Sequence, residues 1–128
     1  MKITINDRRK TYVIQEEFNS VFPYLKLEFL SRIYKPGCTF SKKFIGHHNK
    51  TLAECRTAHN DGKITITPDM KVVDLEQNFS DVYGLGVQVF RKSGKSWLET
   101  TVTDGWTLEE QNRQGEALSK VAVEQNFR

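Results

Sequence analysis

The sequence predicts an α+β protein, a tandem duplication of one β-α-β-β-α unit packed as one compact two-lobed domain. Three observations carry that prediction. Residues 2–5 read Lys-Ile-Thr-Ile, and residues 63–66 read the same. At this offset of 61 positions Lys10 falls on Lys71, Phe18 on Phe79, Val21 on Val82, Phe22 on Tyr83 and Phe29 on Phe90. At a shorter offset Thr51, Leu52 and Glu54 answer Thr107, Leu108 and Glu110. Self-similarity at a fixed period marks a repeated supersecondary unit. The first unit is assigned to residues 1–61 and the second to residues 62–128.

Each unit opens on a strand. Ile3 and Ile5, like Ile64 and Ile66, alternate with polar neighbours, the period of a strand with one face on a core. A helix of about three turns follows. Its apolar side is Ile14, Phe18, Val21, Phe22 and Leu25 in the first copy and Val72, Leu75, Phe79, Val82 and Tyr83 in the second. Pro23 ends the first helix; Thr67-Pro68-Asp69 starts the second, with Pro68 in its first turn, and Gly84 ends it. The alternating residues 25–29 and 85–90 form the next strand of each unit, expected parallel to the opening strand through a right-handed crossover. These strands align one residue out of step with the helices, which predicts a bulge or a shortened turn in one copy.

Lys92-Ser93-Gly94-Lys95 reads as a hairpin turn into an antiparallel third strand over residues 97–102. Residues 40–45, after Lys35-Pro36-Gly37, take the corresponding place in the first copy. Both units close on a helix whose start has the Thr-x-x-Glu spacing of a capping box, Thr51 with Glu54 and Thr107 with Glu110. The last helix carries a polar stretch over residues 109–116 with Gly115 inside it. There it is either solvated or broken, and the chain is expected to fray after about Val123.

Residues 70–111, above all Tyr83-Gly84-Leu85, Phe90-Arg91 and Thr107-Leu108, resemble a unit found in small uncharacterised bacterial proteins. The likeness covers the second copy well and the first loosely. It implies a bacterial cytoplasmic setting, and it transfers no active site, because no activity is established for proteins of that kind.

The 128 residues, 38% apolar and 27% charged with three prolines, suit one folded domain with a real core. The first residues lack the apolar segment of a secretory signal, and no apolar run approaches the ~18–20 residues that span a bilayer. The expectation is a cytoplasmic protein with no membrane association, whose Cys38 and Cys55 are reduced thiols. Residues 1–61 hold 11 Lys and Arg against 6 Asp and Glu, and residues 62–128 hold 8 against 10. That asymmetry suits head-to-tail self-association or an anionic partner; it is also what ordinary solvated faces carry.

No catalytic, cofactor or nucleic-acid signature stands out. Cys38, His47, His48, Cys55 and His59 are the densest set of potential ligands. Cys55 and His59 lie four apart on an expected helix, as two zinc ligands on one face would. The remaining spacings fail, and a buried thiol with loop histidines accounts for the set equally well. The carboxylates on the expected helices are explained by solvation, capping and the helix dipole. Gly84 and Gly86 lead into a strand, the reverse of a phosphate-cradling loop.

The basic clusters Arg8-Arg9-Lys10, Lys42-Lys43, His47-His48-Asn49-Lys50 and Arg91-Lys92 with Lys95 admit RNA or single-strand binding, with Phe90 and Trp97 as stacking platforms on one strand face. No recognition-helix or RNP pattern accompanies them. Phe90 and Trp97, with Trp106 at the start of the last helix, equally form an apolar-aromatic patch, used either for a protein partner or for packing the two units together. The sequence reading is therefore a non-enzymatic protein-interaction module without cofactor or metal. Its contact residues are Phe90, Arg91, Lys92, Lys95 and Trp97, and its partner is another protein or a second copy in a dimer; nucleic-acid binding through the same residues is the alternative.

Overall fold

The computed structural model describes residues 1–30 and 49–126, the stretch 121–126 through its backbone alone. The expected turn at Lys35-Pro36-Gly37, the strand over residues 40–45, and Cys38, Lys42, Lys43, His47 and His48 lie outside the described residues.

The elements run β1 (Lys2–Ile5), α1 (Thr11–Val21), β2 (Leu25–Phe29), α2 (Leu52–Cys55), β3 (Gly62–Thr65), α3 (Val72–Tyr83), β4 (Val87–Ser93), β5 (Ser96–Glu99) and α4 (Leu108–Asn126). Among the described residues the fold is α+β, with two small antiparallel sheets and four helices. One sheet pairs β1 with β3, so that Lys2 faces Thr65 and Ile3 faces Ile64. The other has the order β2-β4-β5, with Leu27 opposite Val89 and Lys92 opposite Trp97.

This topology replaces the expected parallel crossover. β1 and β2 lie in different sheets, and each pairs antiparallel with a strand from the other half of the sequence. The alternating patterns fix which face of each strand is buried, but they are silent on the neighbour. A strand of four or five residues buries too little to choose a partner from its own half. One continuous core forms instead from both halves: Ile3, Ile5, Ile14, Phe18, Leu25, Leu27 and Leu52 meet Ile64, Ile66, Leu75, Phe79, Val89 and Leu108. Burying each large side chain contributes about 1.5–3 kcal/mol, and Phe18 and Phe79, equivalent by sequence, are both 0% exposed.

Backbone contacts recur between the halves. Lys10 bridges Thr51 as Lys71 bridges Thr107. Thr11 N–H donates to the Lys50 carbonyl and Val72 N–H to that of Trp106; Leu52 N–H donates to Arg9 and Leu108 N–H to Met70. Each pair keeps the two sequence offsets. The bridge also explains where the helices start. Lys10 and Lys71 are held extended as N-caps without a side-chain cap bond, so α3 begins at Val72, later than Pro68 suggests. Pro68 lies in the preceding turn, and its carbonyl accepts from Glu109 N–H. Gly84 ends α3 in the left-handed conformation, as expected.

Both capping carboxylates form. Glu54 accepts from Thr51 N–H at 2.9 Å, and Glu110 accepts from Thr107 N–H while Thr107 Oγ1 accepts from Glu110 N–H. α2 is a single turn, whereas α4 runs unbroken through Gly115 to Asn126. The buried positions of α4 include Leu108, Gln111, Gly115 and Ser119. That row is mostly polar or small, so the apolar period does not show it. Gly115 is needed where α4 crosses the sheet, because a Cβ there would sit 2.9 Å from Tyr24 Cβ. No helix among the described residues is long and apolar enough to cross a membrane.

Candidate functional site

The three-stranded sheet has two unlike faces, set by strand alternation. Leu25, Leu27, Phe29, Val87, Val89, Arg91 and Leu98 share one; Lys26, Glu28, Gln88, Phe90, Lys92, Trp97 and Glu99 share the other. The expected contact set is therefore divided. Phe90, Lys92 and Trp97 lie together, Arg91 lies on the opposite face, and Lys95 sits in the two-residue turn with Gly94, whose φ is 63°.

On the first-named aromatic cluster, Lys26 Nζ lies 5.3 Å from the centroid of the Phe90 ring and 5.0 Å from that of Trp97, and 3.3 Å from Glu28 Oε1. Lys26 thus holds both rings by cation–π attraction and Glu28 by an ion pair. Next to them an open groove of about 580 Å³ runs between α1 and the sheet, walled by Tyr12, Glu16 and Asn19 on one side and Lys26, Glu28 and Trp97 on the other. On the opposite face Arg91 lies 5.8 Å from the centre of the Trp106 ring and donates to Gln111 Oε1 at 3.0 Å. Gln111 is fully buried, its amide donating to Thr103 O and Oγ1. Trp106 is 39% exposed and Leu98 is 45% exposed. A tryptophan thus lies against each face of the sheet, Trp97 of β5 beside Lys26 of β2 and Trp106, from the segment between β5 and α4, beside Arg91 of β4.

The two outer edges of this sheet differ. Along β2, Asn19 donates to the Leu25 carbonyl at 2.8 Å and Gln15 to the Leu27 carbonyl at 2.7 Å. These amides, one helical turn apart on α1, close that edge. On β5 the Thr100 N–H to Val89 carbonyl bond fixes the alternation, so the backbone groups of Trp97 and Glu99 point outward. Among the described residues none bonds to them.

The second cluster is ionic, and sequence reasoning missed it. Arg56 is 1% exposed, the largest fully buried side chain among the described residues. Its Nε and Nη2 donate to Asp7 Oδ1 at 3.1 and 2.8 Å, and Nη1 donates to the carbonyls of Asn60 and Tyr83. Asp7 Oδ2 lies 2.7 Å from His59 Nδ1. Burial pushes the Asp7 carboxyl upward, but the hydrogen bonds and charge of Arg56, with His59, outweigh it and hold the group below its ordinary value. Asn60 adds a bond to the Val82 carbonyl. The cluster clamps the segment joining the halves onto the C-terminal end of α3, where a cation meets the negative pole of the helix. A lone arginine beside a helix end carries no periodic signal; only the proximity of residue 7 to residue 56 reveals it.

The same segment corrects the helix on which Cys55 and His59 were expected to lie four apart. α2 ends at Cys55, and Arg56 is already extended at φ −146°, ψ 160°. Cys55 and His59 are therefore not on one helical face. Cys55 is buried with its Sγ directed to the Thr51 carbonyl, while His59 turns to Asp7. Among the described residues no group of three or more His, Cys, Asp or Glu is placed to hold a metal.

Of the basic clusters, Arg9 is engaged with Glu17 and the Thr4 carbonyl, and Lys10 with Asn49. Comparison with known proteins finds no matching family model, no matching curated protein and no matching solved structure. The reading therefore rests on the geometry alone.

Proposed function

We propose that this chain is a non-enzymatic, cytoplasmic protein-interaction module that works without a cofactor and presents the β4–β5 hairpin to a protein partner. The observation that carries the reading is the pair of partly exposed tryptophans, Trp97 and Trp106, held against opposite faces of the three-stranded sheet by Lys26 and Arg91. Rigid amphipathic rings of this kind give large contact area at small entropic cost, and they anchor many protein interfaces. Phe90, Lys92 and Lys95 belong to the same surface; Arg91 contributes by positioning Trp106 rather than by lying beside Phe90.

The scaffold is read as a duplicated unit, residues 1–61 and 62–128. The paired Lys-Ile-Thr-Ile strands and the matched bridges support that reading. Binding of RNA or single-stranded nucleic acid is the alternative. Lys92 beside Trp97, with Lys95 in the turn, favours it, and the placement of Arg91 on the other face counts against it.

The test is capture from cell extract by the tagged chain, with and without nuclease, eluted across a salt gradient. The expected result is a stoichiometric protein partner that resists salt and nuclease and is lost with Trp97→Ala, a contact of this type costing about 2 kcal/mol or roughly 30-fold in affinity. Nuclease-sensitive material that leaves at moderate salt supports the nucleic-acid reading instead.

A further inference from the structure

We infer that the partner of the β5 edge is a second copy of this chain, which joins it strand to strand about a two-fold axis through Leu98. The inference deepens the interaction reading and rests on it. Its starting point is the contrast between the two edges of one sheet. The β2 edge is closed by Gln15 and Asn19, whereas the outward N–H and C=O groups of Trp97 and Glu99 have no partner among the described residues. An exposed edge is a template for another strand, and proteins normally blunt it with proline, a bulge or a covering segment. β5 contains no proline, and its pairing with β4 is regular from Ser96 to Glu99.

The edge is self-complementary. Antiparallel pairing of two β5 strands with Leu98 opposite Leu98 places Trp97 opposite the partner's Glu99, and Glu99 opposite the partner's Trp97. All four are outward-pointing residues, so the parity is that of a bonded pair on each side of the axis. Two such pairs supply four backbone hydrogen bonds. Leu98 then occupies the closely spaced, non-bonded position, where facing side chains approach most closely. It is 45% exposed in the single chain.

The side chains agree with that register. Lys92 lies across from Trp97 within one chain, and the pairing brings the partner's Glu99 to the other side of the same ring. Opposite charges therefore flank each tryptophan, twice over by symmetry. The result is one six-stranded sheet whose two remaining edges are the closed β2 edges. A two-fold pairing satisfies both copies at once, so assembly stops at the dimer.

The test is sedimentation equilibrium of the full chain over a wide concentration range. The expected mass moves with concentration from that of the 14.8 kDa chain to twice that mass. Leu98→Glu and Leu98→Lys each place like charges face to face on the axis. Each variant alone should remain monomeric, and their equimolar mixture should dimerise at a concentration at least about tenfold lower than either alone. Glu99→Pro removes an outward N–H together with the carboxylate beside the partner's tryptophan, and should also abolish the dimer. Circular dichroism of each variant, unchanged from the parent, separates lost pairing from lost folding.

A parent chain that stays monomeric at millimolar concentration overturns the inference. So does a dimer that survives both charge variants and Glu99→Pro. Neither result touches the interaction reading, whose own test is partner capture with Trp97→Ala.

Discussion

Ile3 and Ile64, the second residues of the two Lys-Ile-Thr-Ile segments, face each other across the β1–β3 ladder. Lys2 and Thr65 on one side of that pair correspond to Lys63 and Thr4 on the other. The repeated sequence is thus paired with itself, and each half supplies one of the two strands of that sheet. The β2–β4 pairing does the same in the second sheet.

Neither half should fold alone. A fragment of residues 1–61 and one of residues 62–128 each lack the partner strands of both inter-half ladders. We expect each to show no cooperative thermal transition by circular dichroism. An equimolar mixture should recover the transition of the intact chain, with a midpoint that rises with concentration. A cooperative transition in either fragment by itself would refute this.

Arg56→Met should be among the most destabilising single changes. It removes a buried cation and takes the Arg56 donors from the carbonyls of Asn60 and Tyr83 and from Asp7 Oδ1. Losing one partner of such a network costs about 3 kcal/mol. Urea denaturation checks it, and a change under about 1 kcal/mol would show that the cluster contributes little.

Stability should fall in acid through Asp7. Its carboxyl is held below the ordinary value by Arg56 and His59 against the opposing effect of burial. A group whose folded value is depressed stabilises fully above its unfolded value, near about pH 4, and that contribution is lost as pH falls through the folded value. Asp7→Asn should flatten this acid limb in denaturation midpoints measured from neutral to acid pH. Glu54, lowered by the Thr51 N–H it accepts and by Lys50 and Lys10, acts in the same window, so the limb should shrink rather than vanish.

Gly115→Ala should lower the melting temperature even though alanine is the better helix former. The propensity gain is about 1 kcal/mol. The added Cβ would stand 2.9 Å from Tyr24 Cβ, 3.1 Å from Tyr24 O and 3.2 Å from Arg91 Cγ, and overpacking of that kind costs about 1–3 kcal/mol. A rise in melting temperature would mean that α4 shifts without resistance.

Closing the β2 edge depends on two amides. Gln15→Ala with Asn19→Ala frees the carbonyls of Leu27 and Leu25, and exposed strand edges promote aggregation. Light scattering on heating should show earlier onset for the double variant, while the single-chain fold by circular dichroism stays intact at low temperature.

The chain's local chemistry was legible without coordinates. Alternation marked β1 and the whole of β2, the spacing of Ile14 and Phe18 and of Leu75 and Phe79 marked α1 and α3, and Gly84 and the two Thr-x-x-Glu boxes marked ends that the structure keeps. These signals depend on backbone periods and on groups a few residues apart, so the sequence determines them by itself. Tertiary structure decided what those elements meet. The ladders join residues some sixty positions apart, and only that pairing sends Phe90 and Arg91 to opposite faces and brings Lys26 to Trp97. It also buries Arg56 against Asp7 and lets Gly115 admit Tyr24. Each of these is a contact between segments whose separate patterns carry no record of one another, because burial specifies that a face is covered and never by what.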